Sequence, residues 1–185
     1  MNWMKKVAVA LVCLLPLGLQ AAKVDTLQVK SPSMNKSIEV VVVSPDMAAT
    51  EACPVIYLLH GYGGNARTWV GIKPDLPKIA DEKGIFFVCP DGKNTWYWDS
   101  PLNADVRYET FISDELVKYV DSHYKTVADR KGRAITGLSM GGHGAMWNGL
   151  RHSDVFSAAG STSGGVDIRP FPKNWEKIGR ASCRE

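Results

Sequence analysis

The segment Arg133–Ala145, RAITGLSMGGHGA, limits what this chain can fold into more than any other stretch. A short apolar run enters Gly137-Leu138-Ser139-Met140-Gly141, and a helix-compatible sequence from Gly142 to Leu150 follows at once. A G-x-S-x-G turn between a strand and a helix is the form a nucleophile elbow takes in sequence. The turn is so tight that side chains two positions either side of the serine would collide, which is why glycine stands at 137 and 141. It lifts the Ser139 hydroxyl above the sheet and sets its backbone at the positive end of the following helix. Ser139 is therefore the candidate nucleophile.

Five residues recur by chance too often to stand alone, so a second motif matters. Pro54-Val55-Ile56-Tyr57-Leu58-Leu59 has the pattern of a short buried strand and runs into His60-Gly61-Tyr62-Gly63-Gly64. A glycine-rich loop after an earlier strand is where hydrolases with an elbow place one oxyanion-hole amide; the other comes from the residue after the nucleophile, here Met140.

YLLHGYGG, FFVCPDGKN, YETFISDELVKYVDSHY and GLSMGGHGA together resemble the "Putative esterase" family of α/β-hydrolases. That family includes esterase D (S-formylglutathione hydrolase), feruloyl and acetyl-xylan esterases, tributyrin esterases and mycolyltransferases. The resemblance runs from about Thr26 to Ile168. It implies an α/β-hydrolase fold with Ser139 as nucleophile and the backbone N–H groups of Tyr62 and Met140 as the oxyanion hole. It implies no cofactor.

The ends of the chain read differently from its body. Residues 1–22 have the form of a secretory signal peptide, with Lys5 and Lys6 ahead of an apolar run from Val7 to Leu19 and a small-residue end at Gln20-Ala21-Ala22. The run is shorter than the roughly 20 residues a membrane span needs. A lipid anchor at Cys13 is the rival, but Val12 is large for the position before a lipidated cysteine. The mature product is expected in the periplasm or outside the cell. Residues 178–185, IGRASCRE, resemble the in-frame translation of a sequencing adapter and are expected to be an artefactual tail. That leaves residues 23–177 as one partial domain, long enough for a single core. Within it basic and acidic residues balance at 18 each. Such a balance offers nothing to nucleic acid or an anionic surface.

Along the body, Thr26–Lys30 and Ser37–Val43 predict an N-terminal hairpin. Pro54–Leu59, Gly84–Cys89, Arg133–Leu138 and Phe156–Ser161 predict strands. Thr68–Glu82 predicts a helix broken at Pro74 and Pro77, and Tyr108–Tyr124 a helix with Phe111, Ile112, Leu116, Tyr119 and Val120 on one face. Strands alternating with helices predict a mostly parallel sheet with helices on both faces, lacking the family's C-terminal strands. Cys53 and Cys89 fall at opposite ends of neighbouring strands, so two free thiols are expected, and no Cys/His spacing points to metal.

A serine nucleophile needs a base, and the base an orienting acid, in the chain order Ser, Asp or Glu, His. Family members carry both beyond the point where this chain stops. His143 would point along the elbow helix and pack under the elbow; His60 would brace the glycine-rich loop; His123 and His152 fall near helix ends. Asp167 is the only carboxylate near an acid position. The chain as it stands is expected to be nearly inactive, since loss of a triad histidine costs on the order of a million-fold in turnover.

The loop Asn94–Pro101 carries Trp96, Tyr97 and Trp98 on the same side of the sheet as the elbow. Trp96 and Trp98 could stack on an aromatic acyl group or a sugar ring, or pack the loop onto the domain. With the leader, they favour a secreted esterase acting on feruloyl or acetyl esters of carbohydrate. An acyltransferase is one alternative, and a secreted non-catalytic carbohydrate-binding protein another. Sequencing of the source DNA past the codon for Lys177 is expected to show the frame continuing into a strand-end acid and then a late histidine; a stop after Glu185 would remove that expectation.

Overall fold

The computed structural model describes residues 22–167. Residues 1–21 of the expected leader and the expected tail at 178–185 lie outside the described residues. Between Ala22 and Asp167 the chain runs β1 (Lys23–Ser31), β2 (Lys36–Ser44), β3 (Val55–Leu59), α1 (Thr68–Ile72), α2 (Leu76–Lys83), β4 (Phe86–Pro90), then α3 (Tyr108–Thr110) passing through a π turn (Phe111–Glu115) into α4 (Leu116–His123), and finally β5 (Arg133–Gly137), α5 (Met140–Arg151) and β6 (Ala158–Ala159).

The strands form one sheet in the order β1-β2-β4-β3-β5-β6. The hairpin β1–β2 is antiparallel and joins β4 antiparallel, with Val42 opposite Val88. From β4 to β6 every pairing is parallel, with Tyr57 of β3 opposite both Val88 and Ile135. The expected α/β sheet and hairpin are therefore present. Alternation along each strand splits the core in two. Val40, Val42, Tyr57, Leu59, Phe86 and Ile135 pack with Phe111, Leu116 and Val120 and with Met140 and Ala145 of α5. Val41, Val43, Leu58 and Phe87 pack on the other side against Leu76 and Ala80 of α2. The unbroken valine run of β2 follows from this: a central strand buried on both faces has no polar side.

Several boundaries move for identifiable reasons. The helix expected over Thr68–Glu82 breaks only near Pro74, because Pro77 sits in the first turn of α2, where a missing N–H leaves no bond unmade. The strand expected from Gly84 begins two residues later, because Gly84 (φ 62°) ends α2 in the left-handed conformation with its N–H on Ala80 and Asp81 carbonyls. On the long helix, Val117 joins the buried face as well, and Tyr119 packs against its edge, partly buried, while stacking on His123 at 4.0 Å. The strand expected at Phe156–Ser161 contracts to Ala158–Ala159, with a further bridge between Leu138 and Thr162. Cys53 and Cys89 are free and buried, one in each half of the core, and burial pushes both thiols up. Among the described residues no helix is long and apolar enough to cross a membrane.

Phe111 is fully buried at the π turn. Phe111→Ala is expected to lower the unfolding free energy by about 3–5 kcal/mol in urea titrations, the usual cost of an aromatic-sized cavity.

Candidate active site

Because β3 and β5 run parallel with Leu59 opposite Gly137, the segments leaving their carboxyl ends must meet. A Cβ on Gly141 would stand inside the Leu59 carbonyl, and one on Gly137 would clash with the Gly141 backbone. Both glycines of the motif are thus required by backbone contact between two strands and a helix. The turn forces Ser139 to φ 55°, ψ −115°, a conformation that costs a non-glycine residue on the order of 1–3 kcal/mol. It is held from several directions: Ser139 N–H donates to Thr162 O (2.9 Å), Leu138 N–H to Leu59 O (3.2 Å), and His143 N–H to Ser139 O (3.0 Å). The Ser139 side chain is exposed while Met140 beside it is fully buried. Met140 opens α5, so helix geometry gives its N–H no carbonyl partner within the helix.

The glycine-rich loop lies against this turn. A Cβ on Gly61 would be 3.5 Å from Ser139 Cβ. The Gly61 carbonyl receives His60 Nδ1 (2.7 Å) and Gly64 N–H (3.0 Å), and Gly63, at φ 79°, donates its N–H to Asn94 Oδ1 (2.8 Å). Tyr62 between them carries an exposed side chain. His60 is buried and does brace the loop: with its Nδ1 proton on Gly61, its Nε2 accepts Gly92 N–H at 2.9 Å. Asp91 lies 3.5 Å from the same nitrogen. Burial works against the Asp91 charge, but Lys93, whose Nζ is 2.5 Å away and whose backbone N–H donates to Oδ1 at 2.9 Å, holds its carboxyl below the ordinary value.

Sequence reasoning passed over Tyr97. Its ring is fully buried, wedged where Gly92 and Gly144 lack side chains, and its hydroxyl donates to His60 O at 3.1 Å. Trp96 and Tyr97 both adopt positive φ (59° and 62°), which turns the tyrosine inward and sets the two tryptophans on either side. The glycines at 92 and 144 were the available signal, but nothing in the sequence joins them. Trp96 and Trp98 pack the loop onto the domain. Trp98 Nε1 donates to His143 Nε2 (2.8 Å) and its ring sits 5.4 Å from Trp147, while Trp96 meets the His143 ring edge-on at 5.4 Å.

His143 consequently does not lie under the elbow. It is half-buried among the tryptophans, and its Nδ1 reaches Gly165 O at 2.9 Å. The remaining histidines are engaged as well: His152 Nε2 with Glu109 (2.9 Å) and His123 Nδ1 with Tyr119 O (2.8 Å). Glu109 also accepts from Trp147 and Arg151, and although burial opposes its charge, these bonds keep its pKa below the ordinary value. None of these contacts of the chain's four histidines involves Ser139. Asp167 is the last described residue, two positions after the carbonyl that meets His143. Beside α5 opens a groove of about 440 Å³ whose walls include Met146, Trp147, Leu150 and Val166, with His143 at its side and neither Trp96 nor Trp98 in its lining. No cluster of metal-ligating side chains occurs among the described residues.

A family model described as "Putative esterase" matches residues 31–182. An esterase of Mycobacterium tuberculosis is 30% identical over 149 residues, covering 77% of this chain and 32% of that protein. A diacylglycerol acyltransferase/mycolyltransferase of Mycobacterium leprae is 32% identical over 158 residues, covering 78% of this chain and 44% of its own length. This chain thus spans less than half of either relative. The solved structure of a ferulic acid esterase superposes with a TM-score of 0.72 at 30% identity, covering 88% of this chain and 68% of that one.

Burial holds the His143 pKa below the ordinary 6.5, against the smaller opposing effect of Gly165. The unfolded chain therefore takes up this proton first as pH falls, so the stability tied to neutral His143 is present above pH 6.5 and is lost progressively below it. His143→Gln is expected to flatten that part of the stability–pH curve between pH 8 and 5, read from urea midpoints. An unchanged curve would show that His143 carries none of it.

Proposed function

This chain belongs to the esterase family, and from that premise we propose that it is a serine carboxylesterase domain whose nucleophile is Ser139. The observation that carries the reading is the Ser139 backbone at φ 55° with its side chain exposed, between Met140 N–H and a glycine loop that abuts it. Nothing in ordinary packing asks for a strained, exposed serine there; strain of this kind is kept where it presents a reacting group.

In this reading Ser139 Oγ attacks the ester carbonyl carbon and its proton passes to a base. The carbonyl π electrons move onto oxygen, and that oxyanion is met by the N–H groups of Tyr62 and Met140. Each such donor is worth on the order of 10²–10³ in rate. The C–O bond to the alcohol then breaks, the alcohol leaves with a proton, and water releases the acyl group from Ser139. With the four histidines engaged elsewhere, the triad's acid and base belong to a longer form of the protein, and the chain as it stands turns over slowly. Oxyanion hole and binding alone retain roughly a thousandfold over water in such enzymes.

The substrates we propose are acyl esters, with feruloyl or acetyl esters of carbohydrate as the first class to assay. The likeness to a ferulic acid esterase and the apolar groove along α5 support this. The mycolyltransferase relative supports a second reading in which an alcohol takes the place of water. The leader at residues 1–22 supports export to the periplasm or beyond.

Incubation with an activated phosphonate ester and intact-mass analysis tests the nucleophile. One adduct on the wild-type chain and none on Ser139→Ala is the expected result. Equal labelling of both proteins would remove Ser139 from the reaction. In a form carrying the whole triad, Ser139→Ala is expected to lower kcat on p-nitrophenyl acetate by on the order of a million-fold.

A further inference from the structure

The aromatic segment after β4 holds the glycine-rich loop at several points, and one of them is a side chain with no other evident task. Gly92 N–H bonds His60 Nε2 and the Tyr97 hydroxyl bonds His60 O, both deep in the core. The third contact is Gly63 N–H to Asn94 Oδ1 at 2.8 Å, made by an exposed asparagine 31 residues away. An exposed asparagine in a turn ordinarily spends its amide on its own neighbours or on water. Asn94 reaches across to a different strand's loop instead. Its own backbone is held in place by the turn around it, where Thr95 N–H and Oγ1 both bond Gly92 O.

The two peptide planes flanking Tyr62 are clamped by separate partners. In the Gly61–Tyr62 plane the carbonyl is drawn to His60 Nδ1 and Gly64 N–H. A trans peptide points its N–H opposite its carbonyl, so the Tyr62 N–H is aimed away from His60. In the Tyr62–Gly63 plane the N–H is taken by Asn94, next to a Gly63 backbone (φ 79°) that glycine adopts without penalty and so does not hold by itself. Without Asn94 the second plane, the central peptide of the turn closed by Gly64 N–H on Gly61 O, is free to flip, and the turn that carries the Tyr62 amide loosens with it.

We propose that Asn94 is a positioning residue for the oxyanion hole, its amide oxygen fixing the Tyr62–Gly63 peptide so that Tyr62 N–H stays aimed at the Ser139 site. The inference rests on the esterase reading of Ser139 and names a residue that reading does not include. Asn94 touches no substrate; it acts through Gly63.

The test uses the full chain and two variants, Asn94→Ala, which removes the acceptor, and Asn94→Asp, which keeps one. The Gly63 amide exchange rate, followed by NMR, reports the hydrogen bond. The affinity for phenylboronic acid, which forms a tetrahedral adduct on an exposed nucleophilic serine with an oxygen in the hole, reports its consequence. Asn94→Ala is expected to speed Gly63 exchange about tenfold and weaken phenylboronate about tenfold, the effect of one lost hydrogen bond, with an unchanged melting temperature. Asn94→Asp is expected to keep Gly63 exchange slow. Wild-type exchange and affinity in Asn94→Ala overturn the proposal, as does equally fast exchange in both variants. A wild-type chain that takes up no phenylboronate and is labelled by the phosphonate no more than Ser139→Ala overturns the esterase reading of Ser139 and this role with it, even where slow Gly63 exchange shows the hydrogen bond intact.

Discussion

The site depends on backbone-to-backbone contact where the elbow crosses the end of β3. Gly137 and Gly141 bring the turn against the Leu59 carbonyl and against each other at distances no side chain permits. That contact places the start of α5 directly over the sheet and leaves Ser139 no relaxed conformation. The strain is offset by the packing around it: Met140 and Ala145 sit in the larger core cluster with Tyr57 and Leu59, and the Leu138, Ser139 and Gly141 amides are all hydrogen-bonded. Burying side chains of this size stabilises by roughly 1.5–3 kcal/mol each, enough for a few of them to outweigh one strained residue.

Around this contact the polar groups form a scaffold rather than a reaction apparatus. His60 sits in the core with both ring nitrogens used, one toward the glycine loop and one toward the turn after β4. Tyr97 ties that turn back to His60 and fills the space over two glycines. His143 does the same on the outer side, between Trp98 and the Gly165 carbonyl. Each imidazole serves as donor at one nitrogen and acceptor at the other, which requires the neutral ring. Burial favours that form at His143. His60 and His143 therefore hold the loops around the elbow and do not contact Ser139.

The ion pairs follow the same division. Glu109 gathers Trp147, Arg151 and His152 from the last turns of α5 and the residue after them, fastening the elbow helix to the start of the long helix on the same face of the sheet. Lys78–Glu82 and Lys118–Asp114, by contrast, are exposed i,i+4 pairs worth a few tenths of a kcal/mol.

The order of strands and helices, the hairpin, the elbow and the glycine loop were legible in the sequence. They rest on local signals: period-two burial, apolar runs of strand length, and glycine where a turn admits nothing larger. The boundaries that moved, at Pro77 and Gly84, did so because proline and glycine mean different things at a helix start, a helix end and a break, and which applies depends on the neighbouring turn. What only the tertiary structure decided were contacts between segments far apart in the chain. Tyr97 fits over Gly92 and Gly144, Asn94 reaches Gly63, and His143 faces Trp98, 45 residues earlier. A tryptophan, asparagine or histidine has the same chemistry in any loop; its partner is chosen by how the sheet brings strand ends together. Sequence alone thus determined that this chain would present a serine on a strained turn, because that constraint lies within five residues. The surroundings of that serine were set by the fold, because each of those contacts spans tens of residues.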